Sequence, residues 1–353
     1  MAKNSVAEAL TAAKLPVNTP WAWKSIAAFL FFISPLPAFV VSLFIGNFGL
    51  SFNDTLGVIA SRLFGGGDYP GMYYSVIFDV RLPRILTAML VGGALAISGA
   101  AFQGIFKNPL VDPYILGLSS GAAFGAALSI AVLPALPLEP AAFVFSLIAI
   151  GLAYLMARTK GETPVISLVL SGVITSAVFT ALLGIIQIQT NEKALQSIVL
   201  WIMGSFNAST WSKLGEAWYL IVAGCAVIIL LRWRLNVLAL GDEEARSVGM
   251  NTELYKVAFI VAASLVASAS VAIAGIISLV GLIVPHMVRM VIGPDHRLLI
   301  PLSFTFGAAF LVIVDDAARA AFGFEIPVSI FTTLIGAPFF IFILRRAKVG
   351  GWE

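Results

Sequence analysis

Residues 86–122 read LTAMLVGGALAISGAAFQGIFKNPLVDPYILGLSSGA, and their reading decides the fold class. Only Lys107 and Asp112 are charged in this run. An apolar stretch over 82–106 ends at Lys107-Asn108-Pro109, and a second apolar stretch over 114–133 follows. A helix needs about 20 apolar residues to cross the hydrocarbon core, so the segment predicts two membrane spans joined by a turn. Gly92, Gly93 and Gly99 stud the first span, and Gly117, Gly121 and Gly125 recur every four residues in the second. Such spacing lets helix backbones approach closely; lining a substrate path is the other use open to it.

The whole chain agrees with this stretch. Of its 353 residues 60% are apolar and 11% charged, against about 25% charged in soluble domains, and its mean hydropathy is +1.00. This excludes a soluble enzyme, a disordered scaffold and a nucleic-acid binder. Ten spans are expected, at about 25–46, 82–106, 114–133, 140–157, 165–189, 214–232, 255–274, 276–292, 300–316 and 327–344. A run from Ser197 to Gly204 is too short to span and predicts a partial or re-entrant segment. The organisation is thus one all-α membrane domain (25–346), with a cytoplasmic segment over 1–24 and a cytoplasmic tail over 347–353. The first 22 residues lack a compact apolar core with a small-residue cleavage site, so no cleaved signal peptide is expected.

Orientation follows from the cations. With the N-terminus inside, 15 of the 21 Lys and Arg fall on the inner side, leaving outside Arg62, Arg81, Arg84, Lys193, Lys213 and Arg319. Ten spans then place both termini in the cytoplasm. The longest outer stretch is Asn47 to Val80, and the one sizeable inner loop spans 233–254.

Several chemistries have no carrier in the sequence. The dipeptide Gly-Lys does not occur, so the Gly-rich phosphate cradle that ends in Gly-Lys is missing, and any ATP must be bound by another chain. One cysteine, Cys225, allows no internal disulfide and reads as a packed small residue. Two histidines, His286 and His296, are too few for a zinc site. Ion-coupled carriers bury titratable groups near the bilayer centre, and here the most embedded acids are Asp315 and Asp316, at the outer end of the ninth span beside Arg319. An ion-coupled carrier using Asp315, Asp316 or His286, and a non-transporting receptor or scaffold, stay open as rivals on these residues alone.

Four motifs resemble one family: Arg81-Leu82-Pro83-Arg84 leading into 86–122, ALGDEEARSVGM (239–250), GLIVPHMVRMVIGPDHRLLIPLS (281–303) and EIPVSIFTTLIGAPFFIFILRR (325–346). They are similar to the FecCD-type permeases of type II ABC importers, which serve iron-siderophores, haem, cobalamin and some metal oxyanions. The resemblance implies a ten-helix protomer paired with a second copy around a translocation path. It also implies two ATPase subunits carrying ATP and Mg on the inner side, and a periplasmic or extracellular binding protein on the outer. No cofactor or metal is expected on this chain, and the expected place is a prokaryotic cell membrane.

Residue by residue, the resemblance places Arg81 and Arg319 among outward-facing arginines that dock the binding protein. It places Gly241, Asp242, Glu243, Glu244, Ala245, Arg246 and Gly249 in the helix that couples to the ATPase. On the residues themselves, Asp242 suits a helix N-terminus and Gly249 a helix stop, while a solvated charged loop fits the acidic run equally well. Asn108, Leu110, Glu162 and Thr163 match the cytoplasmic gate, and Asn108-Pro109 and Thr163-Pro164 are also ordinary helix punctuation. Trp201, Met203 and Phe206 match a segment near the path, where belt or packing roles are the plainer reading. An iron chelate, siderophore or haem, is the expected cargo, with cobalamin or a metal oxyanion on the same machinery as the alternative.

Overall fold

The computed structural model describes residues 21–46, 48–159, 162–321 and 325–347. Most of the expected N-terminal segment and the tail beyond residue 347 lie outside them. Among the described residues there is no strand, only an isolated bridge between Thr159 and Glu162. Seven helices among these residues are long and apolar enough to cross a membrane, and three shorter apolar helices complete a set of about ten.

The first span is broken at Ser34 into α1 (Trp21–Ile33) and α2 (Pro35–Phe44), since Pro35 cannot continue the hydrogen-bond ladder of the helix before it. The outer stretch that follows is not all loop. Ser51 Oγ accepts the Asp54 N–H at 3.1 Å and opens α3 (Phe52–Phe64), with Asp54 in its first turn and Arg62 in its last, the polarity a helix dipole favours.

The second span, α4 (Gly71–Ile105), begins eleven residues before the expected 82. Its Ser75–Arg81 portion is a π-helix, in which the Leu82 N–H reaches back to the Ile77 carbonyl. Pro83, which has no N–H to give, falls just past this change of register and is accommodated. The α-helical remainder is buried almost throughout and forms the centre of the molecule.

A 3-10 turn (Pro113–Leu116) leads into α5 (Leu118–Val132), followed by α6 (Leu138–Ala157), α7 (Val165–Gln189) and the partial helix α8 (Glu192–Ile202). Then come α9 (Trp211–Leu240), the short α10 (Asp242–Ser247), α11 (Thr252–Ala274), α12 (Val280–Ile292), α13 (His296–Ala320) and α14 (Val328–Ala347). The sixth span therefore runs on as helix to Leu240, well into the expected inner loop.

Helices α9, α11, α12 and α13 pack around α4. Glycine makes this possible: a Cβ on Gly99 would lie 1.8 Å from the Gly281 carbonyl of α12. The four-residue glycine spacing of α5 serves packing too, with Gly121 and Gly125 set against the Phe145 and Ala141 carbonyls of α6. Cys225 is buried in the same core.

Candidate functional site

Polar chemistry gathers at the two ends of the bundle. At the outer end, three guanidiniums and three carboxylates meet. Arg84 Nε and Nη2 each donate at 2.9 Å to Asp315, a bidentate pair, and Nη1 lies 3.3 Å from Glu325. Arg319 pairs with Asp316 and lies 3.4 Å from Asp315. Ser42 of α2 donates to Asp316 at 2.7 Å. Arg81 donates to the Leu43 carbonyl at 2.7 Å and the Phe48 carbonyl at 2.9 Å. Charge-assisted bonds of this kind are the stronger class of hydrogen bond, and here they lace α2, α4, α13 and the residues before α14 together.

This placement differs from the outward-facing arginines expected of Arg81 and Arg319. Their relative exposures are 3% and 4%. Each is drawn inward because a carbonyl or carboxylate waits there to satisfy it, and neither offers a free guanidinium at the surface.

Beside this cluster lies a cavity of about 420 Å³, between the outer ends of α6, α8, α9, α11 and α14. Glu325 links it to the charge cluster, and Glu139 and Lys213, paired at 2.8 Å, form another part of its wall. Trp201 lines it. Met203 is partly exposed, whereas Phe206 is buried in the core and does not line the cavity. The turn carrying them is fixed by backbone: Ser205 N–H donates to Ala274, and the Val328 N–H donates to Gly204.

At the inner end, α10 is a complete small helix. Gly241 accepts the Ala245 N–H, Gly249 N–H donates to Arg246 and Met250 N–H donates to Ala245, with Gly249 at φ +80°. That pattern of two reverse bonds closed by a left-handed glycine is a Schellman stop. Ala245 and Met250 bury their side chains in the core, which seats α10 and turns Glu243, Glu244 and Arg246 outward, where they are exposed.

Of the residues matched to the gate, Glu162 reaches α10 itself, and Asn108 adjoins Lys107, which does. Asp242 binds the Lys256 ammonium of α11 and lies 3.4 Å from Lys107. Burial pushes the Asp242 carboxyl up, but Lys256 and Lys107 outweigh it and hold it below its ordinary value. Lys107 takes φ +51°, a left-handed conformation strained for a non-glycine residue. It lies in the turn after α4, just before Asn108, whose side chain caps the Leu110 N–H at 2.9 Å. On the other side, Arg246 pairs with Glu162 at 2.8 Å, and Glu253 accepts the Thr163 N–H at 3.3 Å. Glu253 also lies 3.5 Å from Lys256.

Arg84 as the partner of Asp315, together with Glu325, Lys107, Glu253 and Lys256, did not emerge as site residues from the sequence. One signal was available: Arg84 and Lys256 both sit within the first turns of apolar spans, where an unpaired cation is costly, so each demands a carboxylate partner.

Comparison with known proteins places the chain in context. Residues 31–346 match the model of the FecCD transport family. The cobalamin import system permease protein BtuC of Halobacterium salinarum is 42% identical over 276 residues, 78% of this chain and 74% of that protein. The molybdate import system permease protein MolB of Haemophilus influenzae is 39% identical over 314 residues, 88% and 93% of the two chains. A solved ABC transporter in an inward-facing conformation superposes with a TM-score of 0.80 at 36% identity, covering 91% of this chain and 99% of that one.

Proposed function

The chain belongs to the FecCD transport family, the membrane permease subunits of type II ABC importers, and from that premise we propose that it carries a metal chelate, an iron-siderophore or haem, across a prokaryotic inner membrane. Two copies enclose the path. Two ATPase subunits bind ATP and Mg and dock on the inner face, and a binding protein delivers cargo from outside. The permease does no covalent chemistry; it alternates between outward-open and inward-open states as the ATPases close and reopen.

The observation that carries this reading is α10: a capped, core-seated helix with an exposed charged face, bound by ion pairs to Glu162 of the gate match and to Lys107, the neighbour of Asn108. A merely solvated loop has no need of such anchoring. The carboxylates an ion-coupled carrier would use are already engaged, Asp315 by Arg84 and Asp316 by Arg319. Trp201 in the wall of the outer cavity suits a bulky, partly apolar chelate.

Reconstitution in liposomes tests the reading. Uptake is expected to need ATP inside and the binding protein outside; uptake driven by a pH or sodium gradient with no ATPase present would overturn it. Cargo is settled by identifying what the purified binding protein carries. Iron chelate or haem is expected, and cobalamin or an oxyanion such as molybdate, the cargoes named for two relatives, would replace that assignment while keeping the importer.

A further inference from the structure

Three stretches far apart in sequence, 107–110, 162–163 and 241–249, are joined at the inner face through one buried ammonium and one exposed ion pair. Lys256 has 3% of its side chain exposed, yet its Nζ meets both Asp242 at the start of α10 and Glu253 at the start of α11. Asp242 in turn reaches Lys107, and Glu253 holds the backbone N–H of Thr163 rather than its side chain. Arg246, near the other end of α10, pairs with Glu162 where both side chains are about half exposed, and its Nε donates to Thr252 at 3.3 Å.

The two links differ in strength for a physical reason. A buried ammonium cannot leave its carboxylates without standing unpaired in a poorly solvated place, so the Lys256 link behaves as a strut. An exposed pair exchanges readily with water, so the Arg246–Glu162 link can break and re-form during a movement. We propose that Lys256 and Glu162 are positioning residues that tie the gate residues Asn108 and Leu110, through the adjoining Lys107, and Glu162 and Thr163 to α10, so that one displacement of α10 moves both together. The inference rests on the importer reading above and assigns the residues through which that coupling passes.

The test uses the permease assembled with its ATPase subunits and carrying Cys225→Ser with Leu110→Cys. The readout is the labelling rate of the introduced thiol by a maleimide, with and without trapping by ATP, Mg and orthovanadate. Trapping is expected to change the rate in this parent. Adding Glu162→Arg should shrink the change about threefold, the scale of one exposed pair, and Lys256→Met should shrink it about tenfold or more, as loss of a buried partner implies. Combining Glu162→Arg with Arg246→Glu should restore most of the response, which a purely structural defect would not do. Co-purification of the ATPase subunits checks assembly of every variant. If the parent responds and Lys256→Met responds equally, or if the reversed pair does no better than Glu162→Arg alone, the relay is wrong and the importer reading stands. If the parent itself never responds to trapping, both fail together.

Discussion

Arg84 shows what a single side chain can settle. Two of its nitrogens hold Asp315, both partners having little access to water, and a third faces the part-exposed Glu325. Removing one partner of a buried pair costs about 3–5 kcal/mol. Because Arg319 stays 3.4 Å from Asp315, Arg84→Met is expected at the lower end, about 3 kcal/mol, seen as a reduced unfolding midpoint in detergent. Arg84→Met with Asp315→Leu should recover at least half of that loss, since replacing a whole buried pair by apolar groups is far milder than halving it. The same logic bears on Arg319: Arg319→Glu would set three carboxylates together and lower the yield of folded protein, whereas Arg62→Glu, on an exposed outer position, would not. Size-exclusion profiles of the two variants decide this, and any loss of binding-protein docking in Arg319→Glu has to be read against its folded fraction. Asp242 gives a pH expectation. Its carboxyl is held below 3.8 in the folded chain, so its contribution is present above that ordinary value and is lost only as pH falls through the lower folded one. Transport per ATP hydrolysed should therefore show no step from this pair when the inner pH is varied between about 6 and 8. Sequence reading sets Asp315 and Asp316 beside Arg319 because charges at a span end are cheaper when partnered than charges at its centre. It had no means of finding Arg84, which is 231 residues from Asp315.

Elements were legible to different degrees. Spans long enough to cross a membrane follow from hydropathy alone, because lipid leaves a backbone no other way to satisfy its polar groups. The partial helix α8 was legible for the same reason, being too short to cross. The outer helix α3 is too short and too polar for hydropathy to mark, although its Ser51-x-x-Asp54 start is a capping signal. The early start of α4 was hidden by Pro83, which reads as a helix beginning unless a π-helical register is anticipated. Among elements, α10 is the most exposed to a single substitution. Gly249 sits at φ +80° with open space around it, so Gly249→Ala meets no clash but strains the stop by about 1 kcal/mol. The expected outcome is a frayed α10 and a lower ATPase affinity, about fivefold, measured by titrating detergent-solubilised permease with the ATPase subunit. Gly99 is the opposite case. A methyl group there would press on the Gly281 carbonyl at 1.8 Å, and forcing α4 from α12 costs about 1–3 kcal/mol or more. Gly99→Ala should thus lower the unfolding midpoint without touching any charged group.

For the molecule as a whole, the distribution of charge joins fold to function. The bundle is nearly free of charge at its centre, holds a neutralised cluster of arginines and carboxylates and the Glu139–Lys213 pair at its outer end, and carries its most exposed ion pair, Arg246–Glu162, at the inner end. A displacement at the inner end therefore meets one pair that can exchange partners, Arg246–Glu162, beside one strut that cannot, Lys256, while Arg84–Asp315 and Arg319–Asp316 brace the outer end. That division has meaning only if the inner end faces the cytoplasm, which rests on 15 of 21 cations lying on that side. The chain is well suited to a direct check, because its one cysteine is buried and Cys225→Ser removes the background. In that background Asp68→Cys, exposed in the loop between α3 and α4, should react with a membrane-impermeant thiol reagent added to intact cells. Ser247→Cys, exposed at the end of α10, should react only after the membrane is opened, in cells producing the permease without its ATPase subunits. Labelling of Ser247→Cys in intact cells would invert the orientation and, with it, place the helix meant to meet an ATPase on the side where no ATP is found.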